Sequence, residues 1–408
     1  MGHATLTVKT INNLFAPAVL GRRRKVDAAI DKMVRAAERI TGDSADRHRE
    51  YIEECRFALT CYANEQNVSF LGWTAIFSDV QRRITNRMRV ARAIADRPQI
   101  EDEPIVAPIV VTGLPRTATT LAHNLISGPE GNRAPLLWEL FNTVPGDADE
   151  AVKRRCIAEA QKVVKSLDRA IPVFPDIHKM DALLPEECVF LLPFHSFLWH
   201  VTGPLHEYRR WAAERDYTED YRYFKQALQI LQYGQERKRW VLKSPCHLWS
   251  LETLVKTFPD VKVVWTHRDP VSVMGSYCSL IEVGWSIYQR RFDPHELGET
   301  CLSMLTEAIG GAREARVRLR QENVVDVGYP HLAGDSANQV PRLFDRLDLP
   351  WGRPEAENLQ YLIDLPTQRR KHEYTLSRYG LTQAGIERAF GDYPGLVNNL
   401  PAIARRRR

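Results

Sequence analysis

The 408-residue chain lacks several features that would settle its class at once. It has few cysteines: Cys55, Cys61, Cys156, Cys188, Cys246, Cys278 and Cys301 are an odd number, with no CxxC pair and no zinc-like spacing. Neither a disulfide framework nor a cysteine-based metal site is indicated, and the expected setting is a reducing cytoplasm. It has no long hydrophobic run. The longest apolar tract, Val189 to Val201, covers 13 residues and contains Pro193, His195, Ser196 and His200, so it cannot span a bilayer. The opening MGHATLTVKTINNLF holds no continuous apolar core before a small-residue cleavage site, and Leu6 stands where a myristoylation signal needs Ser or Thr. No export or integral membrane segment is expected. A large excess of charge is missing as well. The net charge is +5, and Arg405 to Arg408 carry most of it. A nearly neutral body argues against a nucleic-acid partner and for a small anion held by a few placed groups.

What is present belongs to a folded globular protein. Hydrophobic residues make up 44% and charged residues 26%, which excludes disorder as the main state. Residues 1–100 read as an N-terminal helical extension of three helices, with Val26, Ile30, Met33, Ala37 and Ile40, then Ile52, Cys55, Leu59 and Tyr62, then Ile76, Val80, Ile84 and Met88 at helical spacing. From residue 101 to 408 the pattern is that of an α/β domain. The β-branched run 105–112 is followed by Gly113 and a helix over about 119–127. Trp240 to Leu242 is followed by a helix over 247–257, Val261 to Thr266 by a helix from Pro270, and Val324 to Val327 is a further strand. Short apolar strands alternating with helices predict a parallel sheet covered on both faces. Residues 136–235 interrupt it as a helical, aromatic-rich insertion that includes Phe174, Phe194, Phe197 and Trp199.

Three segments carry chemistry. Gly113-Leu-Pro-Arg-Thr-Ala-Thr-Thr120 lies between a strand end and a helix start, where amides, hydroxyls and the helix dipole converge on an anion. It is not an ATP-type P-loop, because Ala118-Thr119 stands where Gly-Lys would be required and Arg116 lies within the loop. A plain structural turn is the competing reading. Asp269-Pro270 is a helix start that leaves Arg268 at a strand end and Ser276 about two turns into the helix. Lys243, in LKSPCH, sits at another strand's carboxyl end, the edge at which open α/β sheets bind ligands. Arg116, Lys243 and Arg268 are thereby expected around one crevice. The alternative is a local Arg268–Asp269 salt bridge and a solvated lysine.

In this order and separation, TGLPRTATTL, LKSPCH and VVWTHRDPVSVMGS resemble the sulfotransferases that use 3′-phosphoadenosine 5′-phosphosulfate (PAPS), above all the bacterial, actinobacterial-like branch with an arginine in the loop. The likeness covers about residues 105–390 and implies a P-loop-like fold. It implies that Arg116, Thr117, Ala118, Thr119 and Thr120 hold the 5′-phosphosulfate and that Arg268 with Ser276 holds the 3′-phosphate. Tyr329, in VVDVGYPHL, is similar to the family's strand-end aromatic residue, and Arg370, Lys371 and His372 resemble its late basic loop over the nucleotide. Relatives usually carry glycine at the position of Ala118; a positive φ there would cost an alanine about 1 kcal/mol.

The implied reaction is in-line sulfuryl transfer to a hydroxyl (or an amine), leaving adenosine 3′,5′-bisphosphate (PAP) and needing no metal. Lys243, aided by Arg116, Thr119 and Thr120, is expected to stabilise the leaving oxygen. The favoured base is Glu139, in RAPLLWELF, by its likeness to the glutamate of the tyrosylprotein and heparan branches. His247 is a rival, and His178, Glu186 and Glu187 in HKMDALLPEEC are others. The aromatic insertion suggests a hydrophobic acceptor such as a lipid or glycolipid, or simply core. A small-molecule kinase and a non-catalytic nucleotide-binding protein remain as other classes.

Overall fold

The computed structural model describes residues 5–192, 200–364 and 375–404. Its centre is a five-stranded parallel sheet formed by β1 (Ile109–Gly113), β2 (Asn132–Arg133), β3 (Arg239–Lys243), β4 (Lys262–His267) and β5 (Val324–Gly328), in the order β2-β3-β1-β4-β5. The α/β reading is borne out, and the four longer strands fall where the apolar runs predict them. The alternation along each strand feeds two cores. Val110, Trp240, Leu242, Val263 and Trp265 enter the larger cluster on one face. Ile109, Val111, Val241, Val264, Val325 and Val327 enter a second cluster on the other. Both faces are buried, which is why the strands read as nearly continuous hydrophobic runs.

Among the described residues, those up to 100 form five α-helices rather than three: α1 (Leu6–Leu14), α2 (Ala16–Arg23), α3 (Val26–Thr41), α4 (Arg49–Asn64) and α5 (Phe70–Asp96). The three expected helices are α3 to α5. The two short ones before them lack a long enough periodic stretch to be seen. Residues of α2 to α5 enter the larger core, and α1 packs on α5. Tyr62 Oη donates to the Tyr288 carbonyl at 2.9 Å, the Asn86 amide to Thr143 Oγ1 and Tyr223 Oη at 3.1 Å, and Arg83 to the carbonyls of Val189 and Phe190 at 3.2 and 3.1 Å.

The helix predicted at 247–257 begins as a 3₁₀ turn, Pro245–Ser250, and becomes α-helical only over Leu251–Thr257. The insertion is helical over Leu137–Phe141, Glu150–Ala170, Phe174–Ile177, His206–Glu214 and Thr218–Gln232. Many of its aromatics are core: Tyr221 and Phe224 are fully buried, and Trp138, Phe141, Tyr217 and Tyr223 nearly so. Phe194, Phe197 and Trp199 lie outside the described residues, as do Arg405 to Arg408.

Candidate active site

The site forms at the carboxyl ends of the central strands. After β1 the chain turns sharply into α6 (Thr119–Ser127). Arg116 and Ala118 both take φ of 70°, the left-handed backbone that anion-binding nests also use. Ala118 occupies the N-cap of α6, where it supplies no side-chain cap. Its positive φ is the strained case anticipated from the sequence. Thr119 is buried and Thr120 exposed. Thr117 departs from its expected part: its hydroxyl is wholly buried, donates to the Leu114 carbonyl at 2.6 Å and meets Thr266 Oγ1 at 2.6 Å. It fastens the loop to β4, and its hydroxyl proton is spent on the Leu114 carbonyl.

β4 ends at His267, and Asp269 caps the next helix, α7 (Pro270–Tyr288), accepting from the Ser272 amide and hydroxyl at 2.8 Å. The Asp269 carboxylate is thus spent on the helix, not on Arg268. Arg268 donates to the Arg116 carbonyl at 3.0 Å, and its guanidinium lies 4.0 Å from the centre of the Tyr329 ring, just beyond β5. Arg116 Nε donates to Ser276 Oγ at 2.9 Å, and its NH1 to the Ile177 carbonyl at 3.4 Å. Arg116, Arg268, Ser276 and Tyr329 are therefore gathered in one place. Among the described residues neither guanidinium has a carboxylate partner. Beside them opens a cleft of about 410 Å³ lined by Arg268, Asp269, Tyr329, His331 and Asn398 among others. Arg370, Lys371 and His372 lie outside the described residues.

Lys243 ends β3 with 2% of its side chain exposed and its Nζ 2.7 Å from Glu187 Oε1. Burial opposes its charge, but Glu187 and Glu186 outweigh burial and raise its pKa. The glutamates are placed by an antiparallel bridge, Leu136 to Pro185, and by the Glu186 amide donating to the Pro135 carbonyl at 3.1 Å. Glu186 Oε2 lies 2.9 Å from His178 Nε2, and its Oε1 accepts from the Glu187 amide at 2.9 Å. Burial would raise the Glu186 pKa, yet His178, then Lys243, hold it down at about 2. Burial likewise opposes the imidazolium of His178, but Glu186 overrides it and raises its pKa. A carboxylate accepts only, so in the neutral ring Nε2 carries the proton and Nδ1 keeps the lone pair. His178, Glu186 and Glu187 are thus joined to Lys243 through direct contacts, a grouping that the run HKMDALLPEEC signals only by its density of charge.

The other two candidate bases are differently placed. Glu139 is 7% exposed and fully engaged: Oε1 receives Arg133 NH2 at 2.6 Å and Oε2 the Leu136 amide at 2.8 Å, at the start of helix Leu137–Phe141. Its carboxylate serves a helix start and an ion pair. His247 is wholly buried, with Nδ1 2.8 Å from Tyr221 Oη and Nε2 without a partner among the described residues; burial pushes its pKa down to about 3. It lies in the core beside Phe224.

The family description "Sulfotransferase family" matches residues 108–353, more than half of the chain and all five strands. Among solved structures, sulfotransferase STF9 from Mycobacterium avium superposes with a TM-score of 0.79 at 26% identity, covering 92% of this chain and 98% of that one. Sulfotransferase STF1 from Mycobacterium tuberculosis H37Rv gives 0.76 at 25%, covering 88% and 98%. The curated proteins named omega-hydroxy-beta-dihydromenaquinone-9 sulfotransferase Stf3, from Mycobacterium bovis and Mycobacterium tuberculosis, are 28% identical over 120 residues. That stretch spans 29% of this chain and 30% of theirs. An arginine-bearing loop where a kinase has Gly-Lys, on a sheet that overlays bacterial sulfotransferases nearly end to end, leaves one family for it: the chain belongs to the sulfotransferases.

Proposed function

We propose that the enzyme moves the sulfuryl group of PAPS to a hydroxyl of an apolar, lipid-like small molecule and releases PAP. The observation that carries the donor assignment is the pair of guanidiniums, Arg116 and Arg268, coupled to each other and to Ser276 with no carboxylate partner among the described residues. Two such groups beside a cleft of about 410 Å³ fit a ligand with two separated anionic groups. Arg268 and Ser276 take the 3′-phosphate, with Tyr329 stacked beneath the guanidinium. Arg116, Thr119, Thr120 and the amides around Ala118 take the 5′-phosphosulfate.

The donor, when bound, supplies an activated sulfur–oxygen bond. Lys243 sets positive charge against the oxygen that departs with the phosphate, help worth roughly 3 to 4 kcal/mol per preorganised group. Glu187 keeps Lys243 ionised and aimed. For the acceptor proton we infer His178, whose Nε2–H is anchored on Glu186 while Nδ1 has no partner among the described residues. A carboxylate-oriented imidazole with a raised pKa is suited to general-base work near neutrality. Glu139 and His247, engaged as they are, take structural parts in this reading. Phe174 and Ile177, half-buried next to His178, offer apolar surface to the acceptor. A lipid-like acceptor also agrees with the menaquinone derivative in the name of the Stf3 relatives.

Calorimetry with PAP, ADP and ADP plus Mg²⁺ tests the donor. PAP is expected to bind far more tightly than either, and Arg268→Ala to weaken it by roughly 1.5 to 3 kcal/mol while leaving 5′-AMP nearly unchanged. Equal losses for PAP and 5′-AMP would refute the 3′-phosphate assignment. For the base, His178→Asn should lower kcat by roughly 10² to 10⁴ with PAP affinity intact. If Glu139→Gln alone has that effect, the base is Glu139.

A further inference from the structure

The first two helices carry a face for which sulfuryl transfer has no use. Their inner side is fixed to the body: Val8 and Val19 are buried, and Asn12 Oδ1 accepts from the Leu71 amide at 3.0 Å. Phe15, at the corner between them, stacks on Phe70 at 4.9 Å, with the Arg22 guanidinium over the same ring. The outer side presents apolar groups to water, Leu14 at 69% exposure, Leu20 at 58% and Phe15 at 43%. Arg22-Arg23-Arg24-Lys25 follows at once, with Arg22, Arg24 and Lys25 exposed, and no acidic residue occurs before Asp27. Exposed apolar side chains followed in sequence by a run of cations complement a surface with an oily interior and anionic headgroups.

The corner is also joined to the site through a short series of contacts. Ser69, next to Phe70, donates its amide to the Tyr288 carbonyl at 2.9 Å and its hydroxyl to that of Ile287. Ile287 and Tyr288 belong to a satellite apolar cluster that includes Phe174 and Ile177, and the Ile177 carbonyl receives Arg116. A chain of direct contacts therefore links the corner to the rim of the site.

We propose that the α1–α2 corner docks the enzyme peripherally on an anionic phospholipid bilayer. Leu14, Phe15 and Leu20 enter the headgroup–acyl boundary, and Arg22, Arg24 and Lys25 lie against the phosphates. No helix among the described residues is long and apolar enough to cross a membrane.

Co-sedimentation of the full chain with vesicles of phosphatidylglycerol and phosphatidylcholine, against phosphatidylcholine alone, tests this without donor or acceptor, so its outcome is independent of the reaction proposed above. Binding is expected to the anionic vesicles and to fall with salt. The triple variant R22Q/R24Q/K25Q should partition on the order of 100-fold less, from about fivefold per cation. The variant L14S/L20S should lose about tenfold, and both should keep the parent thermal midpoint, because the altered side chains are exposed. A parent chain that ignores anionic vesicles, binds neutral ones equally well, or is matched by the variants overturns the proposal.

Discussion

A lysine with 2% of its side chain exposed stays ionised only because carboxylates stand against it, and Lys243 depends on Glu187 for that. Removing one partner of a buried pair leaves the other uncompensated, which costs roughly 3 to 5 kcal/mol. Glu187→Gln should therefore lower unfolding free energy by about 3 kcal/mol in denaturant titration, and adding Lys243→Met should restore most of it. A Glu187→Gln protein as stable as the parent would mean that Glu186 alone suffices to hold the Lys243 charge. The His178–Glu186 pair has a pH signature. Glu186 is held at about 2, below its ordinary 4.5, so its contribution is complete above 4.5 and is lost as pH falls toward 2. His178 is raised above 6.5, so its contribution is complete below 6.5 and is lost as pH rises through the raised value. The pair stabilises most between about 4.5 and 6.5. Subtracting the stability profile of Glu186→Gln from that of the parent should leave a plateau across this window; a flat difference would show that the pair does not titrate as a unit.

Two helix starts frame the site, and they are built oppositely. Asp269 caps α7 with its side chain and so fixes the exit of β4, from which Arg268 reaches Arg116. Asp269→Ala should cost about 1 kcal/mol of stability and weaken PAP binding as Arg268 loses its fixed origin. A loss of stability with unchanged PAP affinity would separate cap from site. Ala118, by contrast, gives α6 no side-chain cap and pays for a left-handed backbone. Ala118→Gly should gain about 0.5 to 1 kcal/mol, read as a higher denaturant midpoint. These elements were legible in the sequence because their signals are local: a β-branched run, a Gly or Asp-Pro boundary, then a helical period. β2 was not, since two residues, Asn132 and Arg133, carry no pattern of their own. That short strand carries Arg133, on which the engagement of Glu139 depends. What the run HKMDALLPEEC does not show is that Glu187 meets Lys243, 56 residues on, beside a bridge between Leu136 and Pro185 that is distant in sequence. Pairings made by tertiary contact leave no periodic trace.

At the level of the whole molecule, the amino-terminal helices and the sheet share a single large core. Arg83, Asn86 and Tyr62 hydrogen-bond across it to the insertion and to α7. A chain beginning at residue 101 would expose the apolar face that α5 covers. It is expected to be insoluble or to show the loose packing of a molten state, judged by near-ultraviolet dichroism and dye binding. A soluble, cooperatively unfolding product would instead make the first hundred residues a separable unit. The seven cysteines, all free and all buried, have a practical consequence. Burial pushes the thiols of Cys55, Cys61 and Cys188 up to about 12, far from the thiolate that alkylating dyes require. A cysteine introduced at Leu20 would be the one thiol open to a maleimide on the folded enzyme. An environment-sensitive fluorophore placed there would report, without any background label to remove, how deeply that corner sits when vesicles are added.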